Sequence, residues 1–279
     1  MKFDSYLASI HGYLCADGYV IKNPKSQKHR YYHIALRNTN NVLLGDFQKK
    51  FYNKFRIKPH ITKDGRCRIQ SKEIFSFLTK EFSYYSNSWK LPSMSKKNLK
   101  FWLRAFFDCE SWVECQKAKS RAIRLDCKNS QGIRKIKSAL EKFSIKSSIK
   151  TRRNDMMRLN ICGLNNLKKF RNCIGFLHPN KKTVLEKAIN SYADYNWDIP
   201  STHRELLEFI TTKGKIRNSR NEIRLTTILK RNVVQLQKAL NRFAINSNIH
   251  GPWTNGYGSR YYCLTLKKEV CNETRNQEA

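Results

Sequence analysis

One order of elements, helix, strand, strand, helix, strand, strand, helix, is legible twice in this chain, and nothing else in the sequence restricts its folding more. "FDSYLASIHGYLCADG" (3–18) carries apolar or small residues at helical spacing, with Ala8, Gly12 and Ala16 forming a small-residue row. Two strands around a Pro-containing turn follow in "YVIKNPKSQKHRYYHIALRN", then the amphipathic helix "NNVLLGDFQKKFYNKF", two short strands around Asp64-Gly65, and the helix "SKEIFSFLTKEF". From residue 98 the order recurs, beginning with "KNLKFWLRAFFDCE"; "KFRIK" at 54–58 returns as "KFSIK" at 142–146. A duplication of this length implies a pseudo-symmetric structure. Residues 81–97, with five Ser, one Asn and one Pro, form the natural linker between the halves.

Both copies of the first helix end on an acid, Asp17 in one and Glu110 in the other, 93 residues apart. A helix C-terminus already carries partial negative charge, so a carboxylate there calls for a cation. If the two helices pack about the pseudo-two-fold, Gly12 and Ala16 in one and Ala105 and Cys109 in the other permit close backbone approach, and the two acids meet. Oxygen ligands without His or Cys suit Mg²⁺, with Mn²⁺ as its substitute, and such a centre hydrolyses phosphodiesters by bridging an attacking water and a leaving oxygen.

The charge balance supports a nucleic-acid partner. Lys and Arg number 55 against 21 acids, a net charge of +34, spread along the whole sequence. A polycation of this kind suits a long anionic partner better than a small metabolite. No apolar run reaches membrane-spanning length, and the acid and histidine in "MKFDSYLASIHGYL" break a signal-peptide core, so a soluble intracellular protein is expected. The nine cysteines form no CxxC pair and read as reduced core residues.

"GYLCADG" (12–18) and "AFFDCES" (105–111), at the ends of duplicated helices that feed strand pairs, resemble the paired motifs of the LAGLIDADG, or DOD-type, homing endonucleases. The resemblance covers about residues 3–195, with "IGFLHPNKKTVLEKAI" (174–189) similar to the close of that family's second repeat. It implies an α+β fold: a duplicated αββαββα core whose sheets form a DNA-binding saddle. It places the metal ligands on Asp17 and Glu110 and a more structural acid on Asp108, where the first copy has Cys15. Ser111 replaces the usual final glycine. The family also implies a basic residue near each scissile phosphate, matched by Lys182 in "HPNKKT" and, more weakly, by Lys90 in "SWKLP". The implied activity is Mg²⁺-dependent, site-specific double-strand DNA cleavage by a freestanding or intron-encoded monomer at a long asymmetric target. The alternative is a binding protein that does not cut, either an RNA maturase acting on intron RNA or a transcription regulator.

Candidate DNA contacts on the strands are Lys22, Lys28, Arg30, Arg37, Arg66, Arg68 and Gln70 in the first half and Gln116, Lys119, Arg121, Arg124, Arg152 and Arg158 in the second. Alternation sends about half of them to each face. The expected domains are 1–90, 91–196 and 197–279. In the last, "STHRELLEFITTKGKI", "NEIRLTTILK" and "NVVQLQKALNRFAI" read as three helices followed by a Gly-rich hairpin, the pattern of a winged helix-turn-helix whose helix after Asn232 is the recognition helix.

Overall fold

The computed structural model describes residues 1–29, 31–116, 120–192, 195–254 and 260–271. The chain divides into two compact units, 1–192 and 193–279. In the first unit, one repeat runs α1 (Ser5–Ala16), β1 (Gly18–Lys22), β2 (Tyr32–Arg37), α2 (Asn41–Phe55), β3 (His60–Ile61), β4 (Arg66–Gln70) and α3 (Lys72–Thr79). The other runs α4 (Lys96–Glu110), β5 (Ser111–Gln116), β6 (Ser120–Cys127), α5 (Ser130–Glu141), β7 (Ser148–Thr151), β8 (Met157–Cys162) and α6 (Leu164–Cys173), and α7 (Pro179–Asn190) closes the unit. Each repeat forms an antiparallel four-stranded sheet, ordered β1-β2-β4-β3 and β5-β6-β8-β7.

Polar caps start these helices where the sequence changes register. Asp4 accepts the Leu7 N–H at the start of α1, and Asn40, Ser71, Ser95 and Asn129 do the same for α2 to α5. The two repeats share one hydrophobic core, whose seam is the packing of α1 on α4. The seam is tightest at Gly12, where a Cβ would lie 2.6 Å from the Trp102 carbonyl oxygen and 3.1 Å from Ala105 Cβ. Only hydrogen fits there. The indole of Trp102 stacks on Phe106 and donates to His11 Nδ1 at 3.0 Å, and burial of that imidazole pushes its pKa down to about 3. His11 is therefore a neutral acceptor within the seam.

The second unit departs from the expected winged helix-turn-helix. Its described residues form two α-helices and four strands: α8 (His203–Lys213), β9 (Lys215–Arg217), β10 (Glu222–Thr227), α9 (Lys230–Asn241), β11 (Ser247–Thr254) and β12 (Arg260–Lys267). "NEIRLTTILK" is mostly strand. Ile223, Leu225 and Thr227 are buried in alternation, the period of a half-covered strand, and Ile223 and Leu225 pack on α8 and α9. The sheet order β9-β10-β12-β11 is that of the other two sheets. The helix expected after Asn232 begins at Lys230 and is the crossover helix of a third αββαββ copy, and the hairpin closes a sheet; residues 255–259 lie outside the described residues.

All three copies turn out of the crossover helix in the same way. Arg56, Ser144 and Ala244 each hold a left-handed backbone, with φ of 60°, 57° and 57°. Each sits between the Phe and the Ile of "KFRIK", "KFSIK" and "RFAIN". One positive-φ residue there redirects the chain from the helix into the next strand.

Candidate functional site

At the C-terminal ends of α1 and α4 the two acids come into electrostatic reach of each other. Asp17 caps α1, its carboxylate accepting from Asn38 Nδ2 at 2.7 Å while its carbonyl accepts the Arg37 N–H at 3.1 Å. The loop after β2 thus fixes both ends of that residue. The Cys109 thiol lies 4.0 Å from the same Asn38 nitrogen, and burial and the Asp17 charge both hold it protonated. Burial, reinforced by the Asp17 charge, raises the Glu110 carboxyl to about 7, against partial relief from Lys181. Two helix ends have been brought together at an electrostatic cost.

The cation at this end is Lys181. Its ammonium donates to the backbone carbonyls of Asp108 at 2.6 Å and of Phe107 and Cys109 at 3.3 Å each, capping the last turn of α4. Burial lowers its pKa; Cys109, Asp108, Asp17 and Glu110 oppose that shift. Asp108 holds α7 in place by accepting the N–H groups of Leu177 (3.1 Å) and His178 (3.0 Å) from the turn before that helix. Burial nonetheless raises the Asp108 carboxyl to about 6. Asp108 is thus the anchor that delivers Lys181.

This distinguishes two adjacent lysines. His178 caps α7, which turns Lys181 toward α4, while Lys182, one position on, is exposed. Lys90 is also exposed and lies beside Asn87, Trp89 and Gln131 in the segment joining the repeats. No bond joins either to the acid pair. Lys181 escaped the sequence reading, although "HPNKK" offered both lysines; the usable signal was the position of the helix cap.

Asp17 opens onto the face of the first sheet that points away from its helices. Asp17, Tyr19, Ile21, His33, Arg37, Arg66 and Arg68 line one shallow groove there. Register places Gln70 beside His33 on the same face. Lys22 pairs with Tyr32, which packs on Phe75 of α3, so its position belongs to the opposite face; Lys28 lies in the β1–β2 connection, and Arg30 lies outside the described residues. On the second sheet, Trp112, Arg124 and Asn160 form one cross-strand row, with Arg158 opposite Asp126 in the next. These cations are already engaged: Arg158 forks onto Asp126 at 2.7 and 2.6 Å and covers the Trp112 ring at 4.9 Å, and Arg124 pairs with Glu114 at 2.7 Å. Gln116 is exposed at the end of β5, Arg152 lies in the β7–β8 turn, and Lys119 is outside the described residues.

Arg121 is a correction. Its register partner Cys115 and its neighbours place it on the helix side of the sheet, where it donates to Ser191 Oγ (2.7 Å) and the Ser191 carbonyl (2.9 Å) and covers the Tyr192 ring at 4.5 Å. It fastens the end of α7 and is withdrawn from the outer face.

The third copy lacks an acid at the matching place. Asp17 and Glu110 immediately precede Gly18 and Ser111, and Lys213 immediately precedes Gly214. A Cβ on either glycine would meet the backbone four residues earlier at 2.4 Å, and Ser111 Oγ donates to the carbonyl four residues earlier at 2.6 Å, so the three positions are structural equivalents. Among the described residues no group of three or more His, Cys, Asp or Glu gathers as a metal site. Two oxygen-donor acids, Glu110 among them raised by burial and by the Asp17 charge, still fit a hard divalent ion that keeps other ligands from water or phosphate. No helix among the described residues is long and apolar enough to cross a membrane.

Comparison with solved structures gives I-DmoI, a homing endonuclease, at 16% identity, with a TM-score of 0.47, 61% of this chain and 95% of that chain covered. I-DmoI in complex with DNA and Mn gives 15% identity, the same TM-score, and 61% and 96% coverage. Full-length DUF199/WhiA from Thermatoga maritima gives 14% identity and a TM-score of 0.47, with 76% of this chain and 68% of that chain covered. No curated protein sequence matches the chain. The family profile described as LAGLIDADG-like domain matches residues 98–175 and again 203–277, the second and third copies and together more than half of the chain. The chain therefore belongs to the LAGLIDADG-like family.

Proposed function

We propose that the protein is a site-specific, divalent-metal-dependent double-strand DNA endonuclease acting as a monomer. The observation that carries this reading is the pairing of Asp17 and Glu110 at two helix ends, where burial and mutual repulsion raise Glu110 to about 7 and a helix dipole adds to the cost. A protein that only binds DNA gains nothing from such a pair. In this reading Asp17 and Glu110 hold Mg²⁺ or Mn²⁺, which when bound polarises the scissile phosphate and activates a water. Asn38 orients the Asp17 carboxylate, and Asp108 sets the position of α7. Lys181 balances the charge of the pair from the protein side. Lys182 and Lys90, both exposed, contact the DNA backbone. The outer face of the first sheet, with Arg37, Arg66, Arg68 and Gln70, reads bases in the major groove.

Incubation with a plasmid library of random duplex targets and Mg²⁺, followed by sequencing of cut ends, tests the reading. One long asymmetric site is expected, lost with D17N or E110Q while duplex binding persists. Normal cutting by either variant would sink the assignment.

One observation favours a second reading, a non-cutting DNA- or intron-RNA-binding protein: Lys181 already supplies a cation beside the pair. Absence of cutting by the wild-type chain at any divalent concentration, with binding intact, would favour it.

A further inference from the structure

The C-terminal unit repeats the fold of the other copies and discards two of their features. Beyond the exchange of acid for Lys213, its first helix has a polar face where α1 and α4 pair. Counting from the matched helix end, Gly12 and Ala105 correspond to Glu208, and Ala16 and Cys109 to Thr212; both Glu208 and Thr212 are exposed. Such a helix has no seam to offer a partner helix.

The outer face of its sheet has instead been kept. Arg224 follows Arg124 by 100 residues and occupies the same place in β10 that Arg124 occupies in β6, between matching isoleucines and leucines. Its guanidinium lies 5.0 Å from the centroid of Trp253, which is 40% exposed, as Arg158 lies over Trp112 on the second sheet. The Cys263 sulfur, at 3.0 and 2.9 Å from two of its nitrogens, orients it. His250 stacks parallel to Trp253 and bonds Thr265 at 2.9 Å. Register adds Lys215 beside Arg224, and Arg217 and Lys267 on either side of Glu222. Four cations face one carboxylate.

We propose that this sheet is a third duplex-DNA-reading surface, which lengthens the recognised site by a separate block of base pairs and adds no cut. The inference rests on the endonuclease reading of the first unit. Duplex DNA is the occupant favoured by charge, by the position shared with Arg124, and by a guanidinium held against an aromatic ring, whose planar fork matches guanine O6 and N7.

Full-length D17N protein, which retains binding in the reading above, is used to select from a random-sequence duplex pool, in parallel with D17N carrying Lys215→Gln and Lys267→Gln, and with D17N carrying Arg224→Gln. The lysine changes are on exposed positions and leave the fold intact. The expected D17N motif has a core block and a second block. Arg224→Gln erases the base preference of the second block and weakens binding to the full motif about tenfold. The two lysine changes lower the salt slope of log K by about 2. Neither changes affinity for the core block alone. A D17N motif made of the core block alone, with no second block to be lost in either variant, would overturn this proposal and leave the endonuclease reading standing. Absence of any motif would overturn both. Enrichment from a single-stranded RNA pool through Arg224, with none from duplex, would replace this proposal with an RNA-binding one.

Discussion

The second and third copies have the same strand order and the same left-handed turn after the crossover helix, but differ in the helix that leads into the sheet. In the second copy that helix ends in Glu110 and pairs through Ala105; in the third it ends in Lys213 and shows Glu208 to solvent. The difference separates two tasks that the fold combines. The sheet, its crossover helix and its cross-strand arginine can persist without a partner helix. The acid cannot, because a desolvated carboxylate is tolerable only where a neighbouring repeat and Lys181 surround it.

The largest effect that would break this comparison is in catalysis. E110Q should lower cleavage by on the order of 10³-fold, since loss of several kcal/mol of charge stabilisation at the phosphate has that size. K213E, the reverse exchange in the third copy, should leave the rate unchanged in the same plasmid assay. A comparable fall for K213E would show that the third helix end takes part.

Core truncation compares the units as folding bodies. Leu140 and Leu240 are both fully buried at matching positions of α5 and α9. Each change to Ala should cost about 3 kcal/mol. Hydrogen exchange should show L140A loosening residues 1–192 and L240A only the C-terminal unit.

The acid site also predicts a pH dependence. Glu110 is raised from 4.5 to about 7, so between those values the folded protein holds a proton that the unfolded chain has released. That stability is fully present below pH 4.5 and is lost as pH rises through 7, about 3 kcal/mol in all. In metal-free protein E110Q should therefore stabilise at pH 8 and do nothing at pH 4 in urea titrations, with Mg²⁺ shrinking the gain. Asp108, raised to about 6, works in the same direction.

The smallest contrast is at the helix faces. G12V should cost about 2 kcal/mol, as crowding does in a packed core, whereas E208A should stay within about 0.5 kcal/mol. Equal effects would mean that α8 is covered as α1 is.

The duplication and the two acids were legible because each rests on a repeated local pattern, apolar spacing in the helices and a carboxylate before a strand. The third copy was concealed by "EIRLTTIL", whose apolar residues fit helical and strand periods about equally well; "RFAIN", 100 residues after "KFSIK", was the stronger signal. Lys181 was passed over, and the inward side of Arg121 missed, for another reason. Which of two neighbouring lysines faces α4, and which side of a strand an arginine takes, depend on a cap at His178 and on a tertiary contact with Ser191. Composition carries neither.

The position of Lys181 also orders events on the ribosome. Asp17 and Glu110 leave the exit tunnel well before the lysine that balances them, and the seam between α1 and α4 can close only once Trp102 has emerged. Until α7 arrives the nascent chain holds two carboxylates at one place without their counter-charge, so the helix that closes the first unit acts as the latch of the centre. A chain that stops before Lys181 carries both acids without the ammonium that caps the end of α4.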